Sequence, residues 1–563
     1  MKVVICQINS KFIHSSLAAW CLKAGAEHFC ESKNDVCVVE GTINGSMDSA
    51  VEQILGEKPD LVGFCCYIWN ISYVLDLAER IRSACPAVKI VLGGPEVSYN
   101  AEKMLQDNSF VDFVLSGEGE LPFARLIDGI SKQNIPKECG ICFMEEGVPC
   151  VAPPYISCEE PPSPYCAEYF DRLSGRIAYL ETSRGCPYSC AFCLSGRCGG
   201  VRYFDLERIK KEIILLANSG TQTVKLVDRT FNANKKRAKE IIRFICAHFE
   251  GDIPKGVCFH FEVAGDILDE ELISLLISAP KGLFQLEIGM QSFNEKTLSA
   301  INRKTDCEVL KRNVQRLTEA NNMHIHIDLI AGLPFEGLDS FKESFNAAYS
   351  LNANMLQLGF LKLLYGAPMR ENAEKYPCVF NSAPPYEVIS TPYITEDELA
   401  LLKKVEDLVD RTYNSGRFRL TLDYAVGLCN SPFELFEELS KAVAIKPKIT
   451  LDDFTEQLFH ALGDFKGVDR ILLRDLLVCD RICSSSDGRL PDFLKISDPF
   501  LKTAKHFLEK NPATARGAGV RRSVALLYGE RTVVWCDHTE QDKISGRYEL
   551  CKIDFDLVTK FGD

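Results

Sequence analysis

Three cysteines stand close together in "SRGCPYSCAFCLSG" (183–196): Cys186, Cys190 and Cys193, spaced C-x3-C-x2-C. Thiolates at such spacing hold metals. The set is one ligand short of the usual four, and no histidine lies nearby to complete it. Other polar residues recur with period two, the spacing that places side chains on one face of a strand. Tyr179, Glu181 and Ser183 form one such series, and His260 and Glu262 a second. Gln285, Glu287 and Gln291 form a third, and His324, His326 and Asp328 a fourth, with Gln357 set between Leu356 and Leu358. Two further cysteine pairs, Cys139/Cys142 and Cys479/Cys483, lie in a predicted hairpin strand and on a predicted helix. With no partner pair, both read as structural.

The elements that must position these residues follow from the pattern around them. Each polar series alternates with an apolar one, such as Phe259, Phe261 and Val263 or Leu286, Ile288 and Met290, and helical stretches such as "DEELISLLISA" separate the runs. A closed eight-stranded barrel fills its interior with branched apolar side chains. An interior lined by Glu, Gln, His and Asp instead predicts a wide, partial (β/α)6 TIM-type barrel over 176–370, its lumen holding a polar ligand. The three cysteines directly follow its first strand, at the carboxyl end where active sites of this architecture lie.

Ahead of it, "MKVVICQI", "PDLVGFCCYI", "VKIVLGG" and "VDFVLSG" read as buried parallel strands, with "SSLAAWCLKAGAEHF" and "ISYVLDLAERIRSAC" as helices. The alternation predicts a Rossmann-like α/β domain over 1–145. Ligands of such sheets bind at the carboxyl ends of the strands. That is where "GGPEVS" and "SGEGE" place Gly93, Gly94, Pro95, Gly117, Glu118 and Gly119. Tight turns are the competing explanation of either motif alone. Residues 146–175, rich in proline, form a linker after an "EEG" hairpin, and 371–563 read as a mainly helical C-terminal domain.

Composition fits an ordinary globular protein: 563 residues, 46% hydrophobic, enough for roughly two to four domains. No apolar run approaches the ~20 residues that span a bilayer, and the start lacks the pattern of a signal peptide. A cytoplasmic location with mostly reduced thiols among its 25 cysteines is expected. The net charge of −14 argues against a general nucleic-acid binder.

Four thiolates complete a [4Fe–4S] set. Three would leave one iron open to a small chelating molecule, as catalytic zinc sites keep an open position. A three-cysteine zinc site and plain structural thiols are the alternatives. C-x3-C-x2-C with Phe192 before its last cysteine resembles the radical S-adenosylmethionine (SAM) superfamily. "LEIGMQSFNEKTLSAINR" and "DLIAGLP" resemble further segments of it. The resemblance implies that Cys186, Cys190 and Cys193 hold the cluster, whose open iron chelates SAM and, when reduced, cleaves it to a 5'-deoxyadenosyl radical. It implies that Phe192 packs on the adenine, and that Glu262, Gln291 and Ser292 lie nearest the SAM ribose and carboxylate. An electron donor such as flavodoxin or ferredoxin is implied as well.

"IVLGGPEVS" and "FVLSGEGE" resemble the paired glycine signatures of the cobalamin-binding domain fused to one large radical SAM subgroup. "PPYEVIS" and "YNSGRF" resemble a C-terminal domain often attached to it, which either caps the barrel mouth or supports the fold. The Asp-x-His-x-x-Gly loop that supplies a cobalt ligand in mutase-type domains is replaced by "INSKFIHSS", which keeps only His14. Cobalt ligand, helix cap and structural residue are the possibilities for it. "FCCYIWN" would put Cys65 or Cys66, and Trp69, near the corrin.

The function implied is that of a cobalamin-dependent radical SAM methyltransferase acting on an unactivated carbon of a small-molecule or peptide substrate. Glu181, His260, Glu287, His326 and Asp328 would orient that substrate, one serving as base. A rearrangement or ring-forming enzyme of the same class is the alternative. A methylthiotransferase would need a second three-cysteine cluster, and a non-enzymatic cobalamin or iron–sulfur sensor would not need a polar lumen.

Overall fold

A computed structural model describes residues 1–444, 448–485, 489–510 and 523–553. The chain folds as two compact units, each assembled from separate stretches. The first comprises 1–268, 299–304 and 360–392, and the second 269–298, 305–359 and 393–563. The segment containing "PPYEVIS", placed by its sequence with the C-terminal domain, thus folds with the first unit.

In the first unit, β1 (Lys2–Asn9), β2 (Asp35–Thr42), β3 (Leu61–Cys65), β4 (Lys89–Gly93) and β5 (Phe113–Leu115) run parallel. A hairpin of β6 (Ile141–Glu145) and β7 (Val148–Cys150) adds antiparallel to β5, giving the order β2-β1-β3-β4-β5-β6-β7. The four parallel strands expected are present. The fifth, β2, escaped notice because its half-buried residues lack the apolar run of a central strand. Val4, Val62, Ile90 and Leu92 have no exposed surface, and each such side chain contributes about 1.5–3 kcal/mol on burial. The "EEG" turn sits in the hairpin, with Glu146 and Gly147 both at positive φ. Cys142 is buried and its sulfur accepts from the Ala152 N–H, while Cys139 is exposed, so this C-x-x-C does not converge.

Six strands carry the second alternation. Three lie in the first unit: β8 (Ala178–Leu180), β11 (Thr223–Leu226) and β12 (Cys258–Val263), with β11 parallel to both others. Between them, β9 (Ser183–Arg184) and β10 (Arg202–Tyr203) form an antiparallel ribbon that opens and closes the cysteine loop. The other three are β13 (Phe284–Gln291), parallel to β14 (His324–Ala331), and the neighbouring β15 (Met355–Phe360), assigned mainly to the second unit. Along β13 buried and half-buried residues alternate strictly, as the sequence pattern requires.

In the C-terminal part of the second unit the described residues between Glu396 and Lys510 are mainly helical, and a three-stranded antiparallel sheet (525–553), absent from the sequence pattern, follows. The "YNSGRF" motif lies against β15. Asn414 accepts from the Leu356 N–H at 2.8 Å and donates to the Leu356 carbonyl at 2.9 Å, while the Tyr413 hydroxyl donates to the Ala353 carbonyl at 2.5 Å. One amide side chain thereby takes the place of a neighbouring strand at Leu356. Cys479 and Cys483 are buried in the helix Arg470–Cys483, with the Cys483 sulfur 3.5 Å from that of Cys536.

Asn414→Ala removes both partners of a buried peptide unit, at about 1–3 kcal/mol for each unsatisfied group. The expected result is a fall of about 4 °C or more in the thermal midpoint of the second unit. An unchanged midpoint would show that the C-terminal domain does not brace this strand.

Candidate functional site

The cysteine loop is built on a buried carboxylate. Asp228, just after β11, accepts from the Thr182 N–H at 3.1 Å and the Thr182 hydroxyl at 2.7 Å, and from the Ser183 hydroxyl. Three bonds to one residue fix the chain where it leaves β8. From the far side the loop is clipped by distant segments. Ala191 donates its N–H to Ile301 O and accepts from the Met369 N–H. Asn302 donates to Ser189 O at 3.0 Å, and the Arg303 guanidinium approaches the Cys190 sulfur at 3.8 Å. Asn302 and Arg303 lie in the quoted "AINR" stretch, yet nothing in its periodicity marks them as partners of the cysteines.

Cys186 lies 3.6 Å from the Thr230 hydroxyl, and the Cys193 sulfur accepts from the Ser195 N–H at 3.4 Å. Burial pushes the Cys190 thiol up, and Arg303 pulls it back toward the thiolate. Among the described residues, however, the group of three ligand atoms within 4.8 Å of one another is Glu287, His326 and Asp328, not the cysteines. Thiolates from one short loop can each take a separate iron of a cluster. Phe192 is half-buried beside Cys193.

The glycine signatures converge on a cavity of about 670 Å³ in the first unit. Gly93, Gly94, Pro95, Gly117, Glu118 and Gly119 all line it, together with His14, Cys65, Tyr67 and Trp69. It opens at the carboxyl ends of β1, β3, β4 and β5, as the topology requires. Tyr179, Glu181 and Arg184, from the start of the second alternation, line it too. The glycines divide into two kinds. Gly94 (φ +114°) and Gly117 (φ +89°) are backbone requirements, since a Cβ there would fall 2.5 Å from Cys66 O and 2.2 Å from Tyr155 O. Gly93 is different: its Cβ would meet only Leu115 Cβ at 3.6 Å, so a larger side chain would grow into the cavity.

Trp69, 48% exposed, stacks on Tyr67 with centroids 4.4 Å apart. A flat aromatic pair, its Trp69 exposed and its Tyr67 half-buried, beside an open glycine cradle fits a large planar ligand such as a corrin. Cys65 lines the cavity, whereas Cys66 is wholly buried in the core. His14 Nδ1 is 2.7 Å from the Tyr179 hydroxyl. Burial, with the charges of Lys11, Lys225 and Arg176, pushes its imidazole below the usual range, so it is neutral at pH 7. It does not cap the first helix, which has Leu17 at its N-cap.

Charge is concentrated where cavity and loop meet. Arg184 donates Nε and Nη2 to Glu181 at 2.8 and 2.9 Å, Nη1 to Glu118 at 3.1 Å and to Glu120 at 3.2 Å, and Nη2 to Glu120. Burial pushes both Glu120 and Glu181 up. For Glu120 the Arg184 guanidinium prevails and holds it below the usual range, while Glu181 stays raised.

The other predicted residues fall into two groups. In the first unit, His260 is buried on β12 and Glu262 stands 3.8 Å from Lys225 Nζ. In the second, Glu287 is in register with His326, whose Nε2 lies 3.0 Å from Asp328 Oδ1. Gln291 sits at φ +69°, a strained conformation for a residue with a side chain, and its Oε1 is buried without a hydrogen bond. Strain and orphaned acceptors recur at ligand contacts, which is consistent with the SAM role implied for it. Ser292 is less available: its hydroxyl donates to Glu336 Oε1 at 2.7 Å and accepts from the Asn294 N–H. Burial pushes the Glu336 carboxyl up to about 7 despite the Ser292 and Ser344 hydroxyls that favour its charge.

Fold and site together define a radical SAM protein with an N-terminal B12-binding domain. Residues 4–127 match the B12 binding domain model, 180–348 the Radical SAM superfamily model, and 374–517 a family described as a protein of unknown function (DUF4080). The chain thus carries a B12-binding domain and a Radical SAM domain, followed by a DUF4080 domain. It is 27% identical over 372 residues to the cobalamin-dependent radical SAM methyltransferase TokK of Streptomyces tokunonensis, covering 62% of this chain and 53% of that one. It is 29% identical over 315 residues to the 2-(S-pantetheinyl)-carbapenam-3-carboxylate methyltransferase of Streptantibioticus cattleyicolor, covering 53% and 46%. The chain thus spans about half the length of these curated relatives. Among solved structures, the cobalamin-dependent SAM radical enzyme OxsB with aqua-cobalamin and SAM bound superposes with a TM-score of 0.61 at 16% identity, over 85% of this chain and 78% of that one. TsrM from Kitasatospora setae, with cobalamin and a [4Fe-4S] cluster bound, gives 0.55 at 19%, over 68% and 76%. These likenesses establish the fold.

The two kinds of glycine predict two outcomes. Gly94→Ala should lower the thermal midpoint whether or not ligand is present. Gly93→Val should leave the midpoint near that of the wild type and weaken hydroxocobalamin binding, followed by optical titration, at least about tenfold, the equivalent of ~1.4 kcal/mol. Unweakened binding by a folded Gly93→Val protein would place the corrinoid elsewhere.

Proposed function

We propose that this chain is a cobalamin-dependent radical SAM enzyme that methylates an unactivated carbon. The observation that carries the proposal is the junction in the first unit: Arg184, two residues ahead of Cys186, lines the same cavity as both glycine signatures. A corrinoid site and a three-cysteine loop therefore share one stretch of wall, as a reaction needing both groups demands.

When bound, the cluster supplies an electron that cleaves SAM to an alkyl radical, and cobalamin supplies a methyl group that a carbon radical can accept. The chain's residues do the rest. Cys186, Cys190 and Cys193 hold the cluster with one iron left open for SAM. Gly93 gives the corrinoid room, and Tyr67 and Trp69 offer it a flat wall. Gln291 would offer its orphaned carbonyl oxygen to SAM, and Glu262 is the other residue assigned to that role. In the second unit Glu287, His326 and Asp328 would orient the substrate by hydrogen bonds, and His260 is the candidate for that role in the first unit. His326, its Nε2 3.0 Å from Asp328 Oδ1, is the residue of this group best placed to serve as base. Glu181, raised by burial, lines the glycine-flanked cavity and is the substrate-orienting candidate of the first unit nearest the proposed corrinoid. The reductant is a small electron carrier such as a flavodoxin or ferredoxin, and the enzyme works in the cytoplasm. No described helix is long and apolar enough to cross a membrane.

The test is product stoichiometry with anaerobically reconstituted protein, a low-potential reductant and a substrate found by comparing metabolites of a deletion strain. Each turnover should release one S-adenosylhomocysteine and one 5'-deoxyadenosine, and methyl-labelled SAM should label the product. The Cys186→Ala/Cys190→Ala/Cys193→Ala protein should give neither. If turnover forms 5'-deoxyadenosine alone and the product carries no label, the methyltransferase reading fails and a rearrangement or ring-forming enzyme takes its place.

A further inference from the structure

The ribbon that opens and closes the cysteine loop ends on a single carboxylate of the second glycine loop. On the opening strand, Arg184 donates to Glu118 Oε2. On the closing strand, Arg202 donates Nη1 to the same Oε2 at 3.3 Å and Nη2 to Oε1, a forked contact, and Nη1 also reaches Ser157 O at 2.5 Å. The two strands are themselves paired, Arg202 opposite Arg184. Glu118 is only 14% exposed, and what it exposes faces the cavity. Arg202 does not line the cavity and stands nine residues beyond Cys193, outside the C-x3-C-x2-C motif.

We propose that Arg202 is a positioning residue that couples the two sites through Glu118. Filling the glycine-lined cavity with a corrinoid tightens the base of the cysteine loop and raises the affinity of that loop's cluster for SAM. This rests on the function proposed above.

The physical basis is desolvation. Glu118 and Arg184 line the space that a corrinoid would fill, from which solvent would then be excluded. Excluding that solvent lowers the local dielectric and strengthens every charge pair around Glu118. Stronger pairs at both ends of the loop reduce its freedom, so a second ligand binding there loses less conformational entropy. A fixed clamp that only held the domain together would act equally with the cavity empty or full. Coupling of this kind is reciprocal: SAM must raise corrinoid affinity by the same factor. A forked guanidinium contact is needed, because a lysine in its place would follow Glu118 as a flexible point charge without fixing the strand.

The experiment uses the full chain, anaerobically reconstituted with iron and sulfide. SAM affinity is read from its perturbation of the cluster EPR signal, with and without saturating hydroxocobalamin. Corrinoid affinity is read optically, with and without SAM. In the wild type each ligand should tighten the other by the same factor, about 5–10-fold. Arg202→Lys should keep its iron content and bind each ligand alone within about threefold of the wild type, while the mutual factor falls below about two. Arg202→Met, which keeps the stem and removes the donors, should give the same loss. A wild type that binds both ligands independently overturns the inference, as do variants that retain the full mutual factor. A wild type that binds no corrinoid overturns the proposed function as well, so the two failures are told apart by the optical titration alone.

Discussion

The Arg184 guanidinium, enclosed by Glu181, Glu120 and Glu118, is the interaction on which the arrangement of the first unit depends. A buried charge is tolerated only when it is paired and its hydrogen bonds are satisfied. Arg184 meets that demand with contacts from all three of its nitrogens. The three carboxylates come from three places: the end of β8, the second glycine loop, and the first turn of the helix that follows it. None of them can move without leaving the guanidinium underbonded. The residue two positions before the first cysteine therefore sets where the cysteine loop stands against the glycine cradle.

Other contacts extend that constraint outward. Asp228 holds the chain just before Arg184, and Asn302, Arg303 and Met369 hold the far side of the loop. The same 360–392 segment reaches the first glycine loop, where the Tyr386 hydroxyl donates to Glu96 and Arg370 lies over the Tyr365 and Tyr386 rings at 3.5 and 4.5 Å. A stretch distant in sequence from both signatures thus braces each of them. The C-terminal helices act in the second unit, through Asn414 on the edge of β15, which favours support of the fold as one role of that domain.

Much of this was legible from residue order. The parallel strands of the first sheet announce themselves because a strand buried on both faces must be apolar throughout, and the strands of the second alternation because a polar face imposes period two. β2 was not legible, because as an edge strand it needs neither pattern. The three cysteines and the glycine signatures were found because metal binding and close backbone approach restrict residue type. Their partners were not. Arg184, Arg202, Asn302 and Arg303 are ordinary polar residues whose importance arises from three-dimensional pairing, which one sequence cannot display. The two kinds of glycine also look alike in sequence. Only the Cys66 carbonyl, 2.5 Å from a Cβ at Gly94, separates a glycine the fold requires from one, Gly93, that keeps a cavity open.

The central claim is that one unit of this chain holds a corrinoid and a three-cysteine cluster side by side. Both are paramagnetic in suitable states, so their proximity is measurable. Continuous-wave and pulsed EPR of protein loaded with cob(II)alamin and the reduced cluster should show dipolar broadening of both signals, absent when either is loaded alone and lost in the Cys186→Ala/Cys190→Ala/Cys193→Ala protein. Spectra equal to the simple sum of the two separate centres, in protein shown to contain both, would contradict the account.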